Sequence, residues 1–413
     1  MVNYNLVKKC RICSSKNLEL ILDLGNQPPA NSLLDKNQLE NPEFKFPLRL
    51  FWCKDCFLVQ LLDIISKEDL FTHYFYMTSA SKPIVDHFRK YAMDIFNEFL
   101  NEQENPFVVE IGSNDGSLLK EFKKLGSSIL GIEPASNLAK LANESDVTTL
   151  NDFFSLNLAK NIIQSKNVSV VVANNVIGHV ENLHDLMDGI KILIGEHGIF
   201  IFEVPYLLDL LKKLEFDTVY HEHLSYFSIL SIINLIDQFN LEVFDIQKQS
   251  VHGGSIRIFV SKKNNFKIKD NVQKFIKLEY EFGINNIKTY ENFSDDVQNL
   301  KNKIVETLQK LKKEKKFLFG YGASAKGNVL LNYCNIDHNI LDYIIDTTPL
   351  KEGKFTPGTH IPILSSKKIS NKGNNDVALL LAWNYESEIL EKEKFFRSKG
   401  GKFLIPIPIP ILK

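Results

Sequence analysis

Phe107-Val108-Val109-Glu110-Ile111-Gly112-Ser113-Asn114-Asp115-Gly116-Ser117-Leu118-Leu119 is the stretch whose reading decides the fold. It begins as a short apolar run bounded by a charge, which predicts a buried parallel strand. The chain then turns through Gly112 and Gly116 and continues with helical spacing over 118–125. A strand, a glycine turn and a helix start make a ligand-binding corner at the carboxyl edge of an open α/β sheet. Gly112 has no Cβ, so the backbone there can approach a ligand closely.

The order E-x-G-x-x-x-G separates this corner from other glycine loops. A phosphate loop would read G-x-x-x-x-G-K-[ST] and a dinucleotide loop G-x-G-x-x-G. Glu110 and Asp115 would repel a pyrophosphate. They suit a ligand with a cationic end, such as the amino group and sulfonium of S-adenosylmethionine. Further on, Leu130-Gly131-Ile132-Glu133 ends a second strand with a carboxylate, where an acid can accept hydrogen bonds from a ribose diol. Asn151-Asp152-Phe153 follows another short segment and could hold an adenine edge and face. The plainer alternative is an α/β domain with an acidic turn and no methyl donor.

The chain of 413 residues is too long for one ordinary core, so two or three domains are expected. A net charge of −1 supplies no basic field to hold nucleic acid or an acidic membrane. No apolar run is long enough to span a bilayer, and residues 1–9 lack the apolar core of a signal peptide. A cytoplasmic protein is expected. Five cysteines in a chain of this length do not make a disulfide scaffold.

Four of those five fall in two pairs, Cys10-Arg11-Ile12-Cys13 and Cys53-Lys54-Asp55-Cys56. Two C-x-x-C turns put four thiolates within reach of one tetrahedral Zn²⁺, with a β-rich insert between them that contains Gly25-Asn26-Gln27-Pro28-Pro29. Redox-active pairs or unrelated buried thiols are the alternatives. With every position filled by protein, such a zinc stabilises the fold and performs no chemistry. Lys8, Lys9, Arg11 and Lys16 form only a weak basic patch, without aromatic interleaving.

Residues 71–82, F-T-H-Y-F-Y-M-T-S-A-S-K, read as a lid or pocket wall, or else as a packed linker. An amphipathic helix over 84–100 follows. The apolar β-branched run 168–173 is a central strand ending in Asn174-Asn175-Val176-Ile177-Gly178-His179. His179 and Asn175 therefore sit where ligands bind, although a structural histidine fits as well.

The window Tyr220-His221-Glu222-His223-Leu224-Ser225-Tyr226 packs two histidines, a glutamate and two tyrosines together. In an extended chain His221 and His223 would share one face and Tyr220 and Glu222 the other, whereas in an irregular loop several of them could converge. Metal binding is one reading, but the i,i+4 spacing of H-E-x-x-H is missing. Acid–base chemistry is favoured, with Glu222 holding an imidazole and a tyrosine donating to an oxyanion. Arg257, after Val251-His252-Gly253-Gly254, could meet a phosphate or carboxylate, or serve as a buried ion-pair partner. Residues 264–316 have helical spacing. A strand and G-x-G-x-x-A then begin a further domain at Lys316, a dinucleotide fingerprint by pattern alone. Lys326, near the helix start, could instead meet a phosphate on a nucleotide-linked substrate. The Pro–Ile alternation of 403–412 reads as an edge strand or terminal arm.

Together the paired C-x-x-C motifs, E-I-G-S-N-D-G, Y-H-E-H-x-S-Y, H-G-G-S-x-R, G-Y-G-A-x-A-K-G and T-P-G-T-H-I-P resemble the sugar C-methyltransferases that act on nucleotide-linked ketosugars. The resemblance covers nearly the whole chain. It implies an α/β protein with a zinc-binding domain (1–70), a class I methyltransferase domain with a Rossmann-like sheet (71–260), a helical connector (261–315) and a Rossmann-like C-terminal domain (316–413). The last domain is then expected to close over the nucleotide-sugar and to use no nicotinamide. His223 is implied as the base, supported by Tyr220 and Glu222, with His179 near the reacting centre. The implied donor site is Tyr76, Glu110, Gly112, Asn114, Glu133, Asp152, Phe153 and Asn175. The implied sugar-nucleotide site draws on Tyr74, Ser79, Ser81 and Lys82 of the lid and on Arg257, Tyr321, Ser324, Lys326, Asn328 and His360. A monomer or weak dimer is expected. Methylation of a sugar oxygen or nitrogen is the rival enzyme reading.

Overall fold

The structure, a computed structural model, describes residues 4–66, 70, 77–164, 167–249 and 253–413. The paired cysteines sit in a small β module. Its strands are β1 (Tyr4–Leu6), β2 (Leu18–Gln27), β3 (Phe46–Cys53), β4 (Val59–Leu61) and β5 (Asp63–Ile65). β2, β3 and β4 form an antiparallel meander, and β1 pairs with β5.

The strand expected at 107 is β6 (Phe107–Ile111), an interior strand of a seven-stranded sheet. Its other members are β7 (Ser128–Ile132), β8 (Thr149–Leu150), β9 (Val170–Asn174) and β10 (Ile199–Pro205). The two-residue β11 (Ser225–Tyr226) belongs elsewhere, and β12 (Leu241–Gln249) and β13 (Ser255–Lys262) complete the set. The order is β12-β13-β10-β9-β6-β7-β8. β13 runs antiparallel between β10 and β12, whereas β6 to β10 are mutually parallel. That inserted antiparallel strand distinguishes a class I methyltransferase sheet from a doubly wound dinucleotide sheet.

These strands are buried on both faces, and their side chains alternate between two cores with period two. Val108, Val170, Val172, Ile199 and Ile201 face a core closed by the helix Lys82–Ile95 and the helix Ser117–Lys124. Val109, Ile111, Val171, Ala173, Phe200 and Phe202 face the other way, into a core continuous with the cysteine module and the C-terminal region.

Residues 264–316 form two helices, Asp270–Phe282 and the long Ile287–Lys313. The second packs its Tyr290 ring on Trp52 of the cysteine module. The C-terminal sheet comprises β14 (Phe317–Tyr321), β15 (Ile344–Asp346), β16 (Ile363–Ser365), β17 (Asp376–Leu380), β18 (Lys402–Ile405) and β19 (Ile411–Leu412). Its order, β16-β15-β14-β17-β18-β19, is the doubly wound one, with only β19 antiparallel at the edge. The proline-rich end thus becomes an edge hairpin.

Candidate active site

The four cysteines converge. Their sulfur atoms all lie within 4.8 Å of one another, with Cys10 to Cys56 at 3.4 Å and Cys13 to Cys53 at 3.5 Å. Four sulfurs each about 2.3 Å from a tetrahedral zinc stand about 3.8 Å apart, so the cluster fits that ion. Both turns are built alike. The Cys10 carbonyl accepts from Ser14 N and the Cys53 carbonyl from Phe57 N, and Ser14 and Phe57 both have positive φ. Arg11, between the first two ligands, is not part of a surface patch. It is buried, and its guanidinium donates to Gln60 Oε1 and to the Leu224 carbonyl.

The donor corner forms as the spacing predicts. Gly112 has φ +69°, and a Cβ there would lie 2.4 Å from Val176 Cγ2. Glu133 Oε2 accepts from Asn114 N at 2.8 Å, and its Oε1 accepts from Ala135 N. Burial raises the Glu133 carboxyl above its ordinary pKa, opposed by those two amides. Glu110 is 3% exposed, and burial, Asp115 and Glu133 push it well above the carboxylate range. Its Oε2 and Asn175 Oδ1 are buried acceptors with no hydrogen-bond partner among the described residues. Two orphaned acceptors at a glycine corner fit a ligand that brings an ammonium and other N–H donors. Asp152 is exposed and Phe153 half-buried beyond β8, at the same sheet edge.

Asn114 and Asp115 also do something their spacing did not suggest. Asn114 Oδ1 accepts from Thr78 N at 3.1 Å and Asp115 Oδ2 from Ser79 N at 2.9 Å. The end of the lid segment is therefore latched onto the donor loop. Ser81 is half-buried and Lys82 exposed at the start of the following helix. Tyr74 and Tyr76 lie outside the described residues, as does His252.

Residues 220–224 of the histidine-rich window form an irregular turn, so the converging arrangement holds and the shared faces of an extended chain do not. Tyr220, His223 and His179 converge: the Tyr220 ring lies 3.9 Å from the His223 ring, and the His179 ring 4.8 Å from it. His221 turns away beneath Phe46, 1% exposed, and burial pushes it down to about 4, so it is neutral at pH 7. Glu222 does not hold an imidazole. His223 Nδ1 lies 2.9 Å from the Thr218 carbonyl, which can only accept. The proton therefore sits on Nδ1 and the lone pair on Nε2. His179 Nδ1 likewise lies 2.6 Å from the Glu222 carbonyl. Burial lowers the His179 pKa. The Glu222 carboxyl faces Asn31 of the cysteine module, whose Nδ2 donates to both oxygens at 2.7 and 2.9 Å. Burial raises Glu222 to about 7, with Asn31 opposing. Among the described residues, the four cysteines are the one group of His, Cys, Asp or Glu placed to hold a metal ion.

One short segment joins the two halves of the site. Val176 backs Gly112 of the donor corner, while the Gly178 carbonyl accepts from Leu224 N at 2.7 Å. The window then enters the cysteine module itself, since β11 pairs antiparallel with β4.

Several residues expected at the sugar-nucleotide are otherwise engaged. Arg257 is 2% exposed, paired with Glu203 at 2.6 Å and stacked 3.8 Å over Tyr91, so the ion-pair alternative holds for it. Tyr321 is buried and donates to Glu393 at 2.6 Å. Ser324 caps its helix through Gly327 N and donates to the Leu381 carbonyl. Asn328, 2% exposed, donates to the Ala30 carbonyl. His360 pairs with Glu43 at 2.5 Å. These last three positions are spent on capping a helix and joining the C-terminal region to the cysteine module. Lys326 differs: it lies 5.0 Å from the Trp383 ring and feels Asp217 and Glu215, while burial lowers its pKa. Asp217 in turn accepts from Trp383 Nε1 at 2.6 Å, one residue before the carbonyl that orients His223.

The sheet order and the donor corner define a class I methyltransferase with S-adenosylmethionine as its donor. Models of a zinc-binding domain, a methyltransferase domain and a C-methyltransferase C-terminal domain match residues 10–71, 85–246 and 250–408. The C-methyltransferase NovU of Streptomyces niveus is 35% identical over 406 residues, spanning 98% of this chain and 96% of that protein. The chain belongs to the C-methyltransferase family. Among solved structures, magnesium protoporphyrin IX methyltransferase from Synechocystis, with bound SAH, is 12% identical at a TM-score of 0.34, covering 43% of this chain and 83% of that one. An S-adenosylmethionine-dependent methyltransferase from Clostridium acetobutylicum is 9% identical at a TM-score of 0.34, covering 43% and 92%. Likenesses this distant add nothing to the assignment, which rests on the family models and the sheet.

Proposed function

We propose that the enzyme methylates a ring carbon, C3, beside the ketone of a nucleotide-linked 4-keto deoxysugar. The observation that carries this reading is the His223 tautomer, held by the Thr218 carbonyl, on a turn that shares a backing segment with the donor corner. A carbon next to a ketone is acidic because the carbanion delocalises onto oxygen. His223 Nε2 takes that proton, and the C–H pair becomes the enolate. Bound S-adenosylmethionine supplies an electrophilic methyl group on its sulfonium. The ring carbon takes the methyl, the S–CH₃ bond breaks toward sulfur, and the ketone is restored.

Tyr220 packs on the base and is placed to donate to the enolate oxygen. Neutral His179 and Glu222 line the same centre. Glu110, Gly112, Asn114, Glu133, Asp152, Phe153 and Asn175 hold the donor, which needs no water-exposed counter-ion. Ser79, Ser81 and Lys82 approach from the lid end and Lys326 from the C-terminal region, which closes over the nucleotide. The regions that carry these parts are taken as 1–70, 71–260, 261–315 and 316–413.

The test is incubation with donor and a panel of nucleotide-linked 4-ketosugars in deuterated water. A mass gain of one methyl, with loss of the proton α to the ketone, supports the reading. Methyl transfer that leaves that proton in place would shift it to oxygen or nitrogen methylation.

A further inference from the structure

The insert between the two cysteine pairs has a use that the metal does not explain. Residues 28–35 leave the cysteine module and run against the C-terminal region. They are fixed there by Asn328 Nδ2 on the Ala30 carbonyl at 2.7 Å and by two backbone bonds between Leu34 and Phe355, at 2.9 and 2.8 Å. Those bonds already anchor the segment. Between them Asn31, itself exposed, places its amide nitrogen on both oxygens of a buried carboxylate 191 residues away. Glu222 is 3% exposed, and among the described residues Asn31 is the only side chain that hydrogen-bonds its carboxylate. A buried carboxylate needs such a donor to stay ionised and oriented.

We propose that Asn31 is a positioning residue of the active site, through which the zinc-binding and C-terminal regions jointly set the orientation of Glu222 beside the base. The proposal rests on the function proposed above for the role of the turn, but not for the Asn31–Glu222 link itself. The groups bonded to Glu222 are Asn31 from the insert, on its carboxylate, and His179 from the end of β9, on its main-chain carbonyl; of its chain neighbours, His221 packs against Phe46 and His223 bonds the Thr218 carbonyl. Asn31 thus supplies the donation that favours the charged form. Without it the carboxyl is held neutral to a higher pH.

The experiment uses the full chain. In Asn31→Leu, zinc content and donor affinity are expected to stay as they are. The kcat is expected to fall about tenfold or more, with little change in KM for the ketosugar. The pH–rate limb that reports Glu222 moves to higher pH, and Asn31→Gln recovers part of the rate. Unchanged kcat and pH profile in Asn31→Leu overturn the proposal. A loss of zinc in both variants also overturns it, since Asn31 would then be a packing residue. A second measurement needs no turnover: the Glu222 carboxyl is titrated by ¹³C NMR in glutamate-labelled chain, its resonance identified by its absence in Glu222→Gln. An upward shift in Asn31→Leu supports the link even if no ketosugar is methylated, which would remove only the substrate reading. An unshifted titration removes the link whatever the substrate.

Discussion

Two corners of this molecule share one backbone plan and differ in what they leave unsatisfied. In the first, β6 turns through Gly112 into the helix Ser117–Lys124; in the second, β14 turns through Gly322 into the helix Ala325–Tyr333. Each has an acid at the end of the neighbouring strand, and each acid accepts a loop amide: Glu133 from Asn114 N at 2.8 Å, Asp346 from Ala323 N at 2.7 Å. In the first corner, buried acceptors on Glu110 and Asn175 remain open among the described residues. In the second, Lys351 donates to the Ala323 carbonyl at 2.7 Å, and Ser324 is used up by its own helix and by Leu381. A glycine corner is thus a backbone solution that serves packing as readily as binding. Open polar atoms at the corner, and a reactive turn alongside, mark the site.

The largest effect expected from breaking this contrast is at the turn beside the first corner. In His223→Asn, methyl transfer should fall by roughly 10²–10⁴-fold, the usual share of general acid–base catalysis. Calorimetry should still detect donor binding. Turnover near the original rate would remove His223 as the base.

A paired substitution sharpens the contrast further. Gly112→Ala puts a Cβ 2.4 Å from Val176 Cγ2 at φ +69°, and Gly322→Ala puts one 2.8 Å from Ala382 Cβ at φ +88°. Both strain the backbone, by about 1–3 kcal/mol. Gly112→Ala is expected to weaken donor binding about tenfold or more, whereas Gly322→Ala should lower Tm and leave donor affinity within about twofold. Equal losses of donor affinity would erase the distinction between the corners.

The smallest effect concerns the seam between the two regions. Burial pushes Glu215 up to about 7 and Asp217 up to about 6, against Lys326. Both values lie above those of the unfolded chain, so the folded state binds more protons there. Their contribution is full below about pH 4, near the unfolded values, and is lost as the pH rises through 6 and 7. Melting curves should show Tm falling between pH 5 and 8. Glu215→Gln should flatten part of that fall, by about 2 °C at pH 8. A Tm that rises over the same interval in the unaltered protein would contradict the sign.

Much of the donor corner was legible before any coordinates, because its parts are close in sequence. Glu110, Gly112, Gly116 and Glu133 belong to one strand–helix–strand unit, and local spacing places them. The cysteine pairs were legible for the same reason, each pair being one turn. The histidine window was legible as composition only. Whether it was extended or an irregular loop was not legible, because a two-residue period says nothing of a turn, and the turn rotates His221 under Phe46 while His223 meets Tyr220. For the expected sugar-nucleotide residues a motif supplied the name but not the partner within the chain: Arg257 meets Glu203, Tyr321 meets Glu393, and His360 meets Glu43. Asn31 left only a faint signal, two residues beyond the diproline. Thr218 left none, because its carbonyl, not its side chain, orients the base.

The amino-acid sequence by itself determined the strand–turn–helix corners, the four-thiolate cluster and the presence of an acid–base turn. Each depends on contacts within a few residues or on a repeated spacing. Only the tertiary structure decided that this turn is gripped from both sides, by Arg11 and Asn31 on one and by Trp383 on the other. Those partners lie 213, 191 and 166 residues from the atoms they bind. At such separations no local propensity operates, and which polar groups meet is settled by how three regions of the chain pack together.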